Sequence, residues 1–153
     1  MASLIDHISE EIKSAMKARE KVRLETLRSI KKVLLEKEVS VRPSGQQVLT
    51  EEQEMEALLQ LAKQRRDAIE QYQSVGRQDL ADQEAQELVI IEGFLPQQLT
   101  DDEVAQAIDA IIAQVGATSP KDMGKVMGPA MQQLKGKTDG KKVQAIVKVK
   151  LGG

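Results

Sequence analysis

Apolar residues recur at helical spacing along almost the whole chain, as in the run from Leu4 to Met16, where positions 4, 5, 8, 12 and 16 are apolar. No segment of useful length alternates apolar and polar residues, and no internal repeat of fixed period stands out. Aromatic residues, which strands favour, make up only 1% of the chain and are Tyr72 and Phe94. The pattern therefore predicts an all-α protein with about seven helices.

Capping signals divide this pattern into separate helices. Thr50 and Thr100 each begin a capping box, in which a glutamine or glutamate follows three residues later. Ser3, with Asp6 three residues on, is typical of the same kind of helix start, and Asp139 can cap the last helix.

Prolines and glycines indicate where the helices end. The segment 40–49 contains one of each and predicts a loop, and a helix expected over residues 79–95 should end at Pro96. The stretch that starts at Pro96 is the strongest boundary in the chain. It predicts an N-terminal domain of about four helices over residues 1–98 and a small, basic, three-helix tail domain over residues 99–153.

Composition excludes several classes of protein. The chain has no cysteine, which excludes a disulfide framework, a zinc–thiolate site and a cysteine nucleophile. The only histidine, His7, lies beside Asp6 on the first turn of a helix and is expected at the surface or in an interface. No apolar run approaches the roughly 18 residues of a membrane span, and the first residues lack the pattern of a signal peptide. We expect a cytoplasmic protein with no metal, no cofactor and no membrane association.

Motifs that would carry catalysis are incomplete. The tripeptide Gly136-Lys137-Thr138 resembles the end of a phosphate-binding P-loop, but position 131 is methionine rather than glycine and no strand precedes it. No Gly-x-Ser-x-Gly nucleophile elbow occurs. The acidic residues are concentrated at helix starts, where the helix dipole explains them. The sequence therefore predicts no catalytic residue.

Positive charge is concentrated at the C-terminal end. Residues 116–153 contain eight lysines and two acids, a net charge of +6, so residues 1–115 carry −8 of the total of −2. Such asymmetry is typical of proteins that bind nucleic acid or another polyanion. It is equally typical of a solvated lysine-rich tail with no partner.

The candidate RNA-binding residues form two sets. The first flanks two predicted helix starts, where free N–H groups and the helix dipole favour a phosphate: Lys121, Lys125, Lys135, Lys137, Lys141 and Lys142. The second lies on the N-terminal helices, where the alternative role is to solvate a helix face: Arg23, Arg28, Lys31, Lys32, Lys63, Arg65 and Arg66. Proteins that read unstacked bases pack them on aromatic side chains, which are almost absent here. We therefore expect a bound RNA to be recognised through its phosphate backbone and its folded shape.

Four glycines in the C-terminal region are predicted to allow close approach of another backbone. Gly124 and Gly128 are four residues apart on one helix face, and Gly136 and Gly140 bound a turn. A neighbouring helix is the expected partner of the helical pair, and an RNA phosphate is the alternative.

Seven segments, in the same order and spread over nearly the whole chain, resemble the GatB/YqeY family. They are Lys21–Arg28, Lys63–Ile69, Gly76-Arg77, Asp79-Leu80, Leu95–Leu99, Asp122–Met127 and Lys135–Gly140. Thr138 departs mildly from the family's turn, where a small residue such as alanine is associated with this position. The resemblance implies similarity to the C-terminal helical and tail domains of the GatB component of tRNA-dependent amidotransferase, whose tail contacts tRNA.

Three functions stay open at this point. The first is a tRNA-binding helical protein without an active site of its own. The second, implied by the resemblance, is a component of glutamine-dependent tRNA amidation, a carbon–nitrogen ligase reaction with glutamine as amide donor. It would need partner subunits, because the chain shows no amidase serine array and no ATP site. The third is a protein–protein adaptor that uses the acidic N-terminal helices.

Overall fold

The computed structural model describes residues 3–152, which contain seven α-helices, two short 3₁₀ segments and no strand. The helices are α1 (Leu4–Ala18), α2 (Lys21–Val41), α3 (Glu51–Ser74), α4 (Gln78–Glu92), α5 (Asp101–Val115), α6 (Met123–Leu134) and α7 (Gly140–Lys150). The 3₁₀ segments are Arg42–Ser44 and Pro120–Asp122. The predicted all-α class with about seven helices is confirmed.

The predicted helix starts are confirmed by their hydrogen bonds. Ser3, Thr50 and Thr100 each form a capping box, in which the side-chain oxygen accepts from the amide three residues later over 3.1–3.2 Å. Asp139 caps α7, because its Oδ1 accepts from the amide of Lys141 at 3.1 Å. These caps satisfy N–H groups that have no partner within their own helix.

Two helix ends differ from the sequence prediction. Helix α2 extends to Val41 and continues as a 3₁₀ turn to Ser44, so the first half of the predicted loop 40–49 is helical. Helix α4 ends at Glu92 rather than at Leu95, and the amide of Leu95 bonds back to the Glu92 carbonyl in a tight turn. The residue before a proline is disfavoured in the α conformation. Here the helix ends about one turn before Pro96, and residues 93–95 form a tight turn instead.

The chain divides into two units between Leu95 and Pro96. The first unit contains α1 to α4, which pack around a core of aliphatic side chains. Its largest fully buried members are Ile8, Leu27, Ile30, Leu34, Leu58 and Ile91. None of the helices in the described part of the chain combines the length and the apolar content that crossing a membrane requires.

The second unit contains α5, α6 and α7, which pack around Val104, Ile108, Val126, Val143 and Val147. Lys142 and Lys150 of α7 form ion pairs with Asp101 and Asp109 of α5 at 2.7 Å each, so the two helices run in the same direction. Helix α6 runs in the opposite direction, because the turn that follows it is bonded to the segment before α5. The start of α5, the end of α6 and the start of α7 therefore lie at one end of this three-helix unit.

Candidate nucleic-acid interface

The turn between α6 and α7 is held to the segment before α5 by backbone and side-chain hydrogen bonds. The amide of Leu99 donates to the carbonyl of Lys137 at 2.8 Å. The side-chain amide of Gln98 donates to the carbonyls of Pro96 at 2.8 Å and of Gly136 at 2.7 Å. Gly136 has φ of +80°, a left-handed conformation that glycine adopts without steric cost. The backbone of this turn is thereby fixed.

Four of the predicted lysines lie at this turn: Lys135, Lys137, Lys141 and Lys142. All four side chains are exposed. Lys141 and Lys142 occupy the first turn of α7, where the positive end of the helix dipole disfavours a cation by about 0.3–1 kcal/mol. We refer to these four lysines and their backbone as the lysine turn. It concentrates exposed positive charge at the start of α7, where Asp139 already accepts from the amide of Lys141, so an anionic ligand would be bound by the lysine side chains.

The other two lysines of the first set lie at the opposite end of the unit. Lys121 is in the 3₁₀ segment and Lys125 is in the first turn of α6, and both are exposed. Because α6 has 12 residues at about 1.5 Å each, roughly 18 Å separates this end from the lysine turn. The six lysines that flank the two predicted helix starts therefore form two separate groups, one at each end of the unit.

Asp122 partly neutralises the group at the start of α6. Its carboxylate accepts from the amides of Thr118 at 2.9 Å and Ser119 at 3.3 Å, and it lies 3.6 Å from Lys125 Nζ. The bond from the Thr118 amide, more than the charge of Lys125, lowers the pKa of Asp122. Asp122 therefore stabilises the backbone of this turn. Because it also lies close to Lys125, Lys125 is a weaker candidate for phosphate binding than the lysine turn.

The net charge of the second unit is lower than the sequence suggested. The +6 counted from residue 116 omits α5, which carries Asp101, Asp102, Glu103 and Asp109. From Pro96 onward there are eight lysines and six acids, a net charge of +2. Two of these acids pair with α7 lysines, so the unit has local positive regions rather than a uniformly basic surface.

Two arginines of the second predicted set are engaged within the first unit. Arg23 bonds Glu11 at 2.9 Å and lies 3.9 Å from Glu20. Arg65 Nε lies 3.0 Å from a carboxylate oxygen of Glu87 and 3.4 Å from one of Glu84, without hydrogen-bond geometry. The charge of both arginines is partly compensated within this unit, which makes them weaker candidates than the cations that have no ion pair among residues 3–152.

Five cations of that set have no ion pair among residues 3–152. Arg28 and Lys63 are exposed, whereas Arg66 is half-buried. Lys31 and Lys32 likewise lack an acidic partner in the described structure and lie on the same helix as Arg28. Arg28, Lys31 and Lys32 lie together on α2, whereas Lys63 and Arg66 lie on α3.

The glycine predictions need one correction. A Cβ built on Gly124 or Gly128 would meet no atom within 4 Å among the neighbours described, so no backbone packs closely there. Gly128 instead precedes Pro129 inside α6, where a side chain would crowd the proline ring. A Cβ on Gly140 would lie 3.2 Å from Met131 Cε, which is close approach by a side chain rather than a backbone.

In the sequence, Gln98 and Leu99 indicate only a boundary between two domains. The structure gives them a part in fixing the lysine turn. Both residues belong to the segment Leu95–Leu99, which resembles the family. Nothing in that segment indicates which carbonyls its amides contact. His7 is exposed as predicted, with its ring edge-on to Phe94 at 5.9 Å between centroids.

Comparison with known proteins identifies the family. The sequence model described as Yqey-like protein matches residues 5–151, and the chain therefore belongs to this family. Comparison with the curated proteins gives no match.

Proposed function

We propose that this YqeY-like protein binds tRNA through the lysine turn of its second unit and has no active site of its own. The observation that carries the proposal is the exposure of Lys137 and its neighbours on a turn whose backbone is fixed by Gln98 and Leu99. Lysines attract phosphates as point charges, and association releases the counterions that the phosphates had bound. The location that this function requires is cytoplasmic.

The kind of RNA follows from what the unit lacks. Neither aromatic residue of the chain belongs to the second unit, so unstacked bases find no ring to pack on. Phosphate contacts fix position without reading sequence. A folded RNA such as tRNA presents closely spaced phosphates in a defined shape, and it suits the lysine turn better than an extended single strand.

A component of glutamine-dependent tRNA amidation is the second candidate function. Two segments that carry the resemblance to the GatB component of the amidotransferase, Leu95–Leu99 and Lys135–Gly140, are joined by the hydrogen bonds of the lysine turn. Within residues 3–152, no group of three or more acidic or histidine side chains is placed to hold a metal. In this function the chain would position tRNA while partner subunits carry out the chemistry. Co-purification with such subunits, and faster amidation when the chain is added, would support it.

The first experiment measures binding of bulk tRNA by fluorescence anisotropy over a salt series, with duplex DNA of equal charge as competitor. We expect a preference for tRNA, and a log–log slope that becomes shallower by about 0.7–0.9 for each phosphate interaction that a substitution removes. Lys137→Ala with Lys142→Ala should reduce both affinity and slope. Lys17→Ala with Lys148→Ala changes the net charge equally outside the lysine turn and is the matched control. Equal effects of the two pairs, or no preference for tRNA, would overturn the proposal.

A further inference from the structure

The outer face of α2 carries a continuous exposed stripe. Its members are separated by four, three and four residues, which places them on one side of the helix: Arg28, Lys32, Leu35 and Val39. Leu35 is 42% exposed and Val39 is 56% exposed, and both lie beside the exposed cations of the same helix face. Lys31 and Glu36 flank the stripe, and the whole forms a shallow depression of about 500 Å³.

The stripe is not needed for the core of the first unit. Leu27, Ile30 and Leu34 face inward on the same helix and are completely buried. The stripe is therefore a second apolar surface, and the core that α2 shares with α1, α3 and α4 does not explain it.

The spacing and charge of the stripe indicate what would cover it. Spacing of four, three and four residues is the pattern with which one helix packs along another. Three cations, Arg28, Lys31 and Lys32, stand against the single carboxylate of Glu36, and none of the three is ion-paired within residues 3–152. A helix with acidic residues opposite Arg28 and Lys32, and apolar residues opposite Leu35 and Val39, would complement both halves.

A second copy of the chain does not fit this stripe. In an antiparallel pair, Arg28 would face Val39 and Lys32 would face Leu35, which would bury charges without partners. In a parallel pair, like charges would face each other at Arg28 and Lys32. Both arrangements are unfavourable, so the stripe favours a different partner.

Nucleic acid and lipid also fit less well. A phosphate backbone gains nothing from Leu35 and Val39, which form half of the stripe. A membrane-surface helix usually places a large aromatic or leucine-rich surface in the bilayer interface, whereas α2 exposes only these two apolar residues and also Glu36.

We propose that the stripe of α2 is a docking site for an acidic amphipathic helix of a partner protein.

The experiment uses the full chain and synthetic helical peptides of about five turns as probes. Each peptide repeats the four, three, four spacing with two leucines and two glutamates, the glutamates leading in one peptide and following in the other. A third and a fourth peptide replace every glutamate with lysine. We expect one of the acidic peptides to bind, with amide chemical-shift changes confined to residues near 28–39, and both lysine peptides to bind at least about tenfold more weakly.

Two variants separate the apolar and the charged contributions. Leu35→Ser with Val39→Ser should weaken binding of the acidic peptide by about tenfold or more, because the docked leucines then face polar side chains. Arg28→Glu with Lys32→Glu should reverse the preference toward the lysine peptides. Val89→Ser, at an α4 position that is 70% exposed, is the matched control and should leave binding unchanged.

Three outcomes would overturn the proposal. These are equal binding of acidic and lysine peptides, shift changes outside the stripe, and binding that the serine double variant does not alter. Binding of the chain to vesicles of phosphatidylglycerol and phosphatidylcholine, abolished in that same variant, would assign the stripe to a lipid surface instead. Because the serine substitutions are at exposed positions, the variant should fold, and an unchanged circular dichroism spectrum would verify it.

Discussion

The backbone amide of Leu99 donates a hydrogen bond of 2.8 Å to the carbonyl oxygen of Lys137, far along the sequence. Together with the bond from Gln98 to Gly136, it joins the segment before α5 to the turn between α6 and α7. A side chain on a fixed backbone loses less conformational freedom when it binds a ligand than one on a mobile loop. Gln98 and Leu99 are therefore positioning residues for the lysine turn in the proposed function.

Replacing Gln98 tests this positioning role. Gln98→Ala removes the donor to the carbonyls of Pro96 and Gly136, and Gly136 is buried, so its carbonyl loses a partner that water replaces poorly. We expect the second unit to lose about 1–2 kcal/mol of stability. Amide hydrogen exchange of Leu99 and Lys137 should accelerate accordingly.

Gln97→Ala is the control for this substitution, because Gln97 is exposed and makes no hydrogen bond in the described structure. The tRNA affinity of Gln98→Ala should also fall, whereas that of Gln97→Ala should not. Exchange rates at Leu99 and Lys137 that are the same in both variants would show that the side chain of Gln98 does not fix the turn.

Asp101 limits the positive charge of the lysine turn. Its Oδ1 lies 2.7 Å from Lys142 Nζ, so a phosphate must compete with this carboxylate. Asp101→Asn should raise tRNA affinity by about two- to threefold at low salt, as expected for release of an exposed ion pair. Asp102, one residue away, forms no ion pair among residues 3–152, so Asp102→Asn removes the same charge and should have a smaller effect. Equal gains for the two variants in the anisotropy assay would mean that only net charge matters.

Helix content and helix starts were predictable because they depend on local sequence. The threonines at positions 50 and 100 and the aspartate at 139 cap helices through residues two or three positions away. The ends were less predictable, as at Leu95, because the turn before Pro96 tightens over several residues. A glycine in a helix can mark close packing of another backbone, an open surface or a position before proline, and the sequence does not distinguish these. The close packing predicted at Gly124 and Gly128 is for this reason not found among the described neighbours.

The candidate site was only partly predictable, because charge is compensated by tertiary contacts. Lys142 and Arg65 are both basic residues on helices, and nothing local indicates that one pairs with Asp101 and the other with Glu84 and Glu87. The separation of Lys121 from Lys137 likewise depends on the direction of α6. Sequence patterns identified the lysines, and the packing of the helices decides which of them act together.

Gly124 provides a test of close approach in α6. Because a Cβ at this position meets no atom within 4 Å, Gly124→Ala should stabilise the second unit by about 0.5 kcal/mol through reduced freedom of the unfolded chain. Gly128→Ala should give no such gain, since it places a side chain before Pro129. Urea denaturation followed by NMR signals of the second unit measures both. Weaker tRNA binding by Gly124→Ala would instead support the alternative in which an RNA phosphate approaches this open surface.

The cluster of Arg65, Glu84 and Glu87 predicts a pH-dependent stability of the first unit. Burial raises the pKa of Glu87 above its ordinary value of 4.5, and the charge of Arg65 partly opposes this shift. A carboxyl whose pKa is higher in the folded state binds more protons there, so its ionisation reduces stability as the pH rises through the folded pKa. Removing Arg65 would raise that pKa further and extend the destabilising range toward neutral pH.

Arg65→Met keeps the aliphatic stem and removes the charge. We expect a loss of about 2 kcal/mol at pH 7, because two mostly buried carboxylates remain close together without a cation. The loss should shrink as the pH falls toward the ordinary glutamate pKa of 4.5, where Glu87 becomes protonated in the folded protein. Arg66→Met alters the neighbouring arginine, which has no ion pair among the described residues, and should cost little at either pH. Urea denaturation of the first unit at both pH values measures these differences, and a loss for Arg65→Met that does not depend on pH would show that Arg65 acts through packing rather than through its charge.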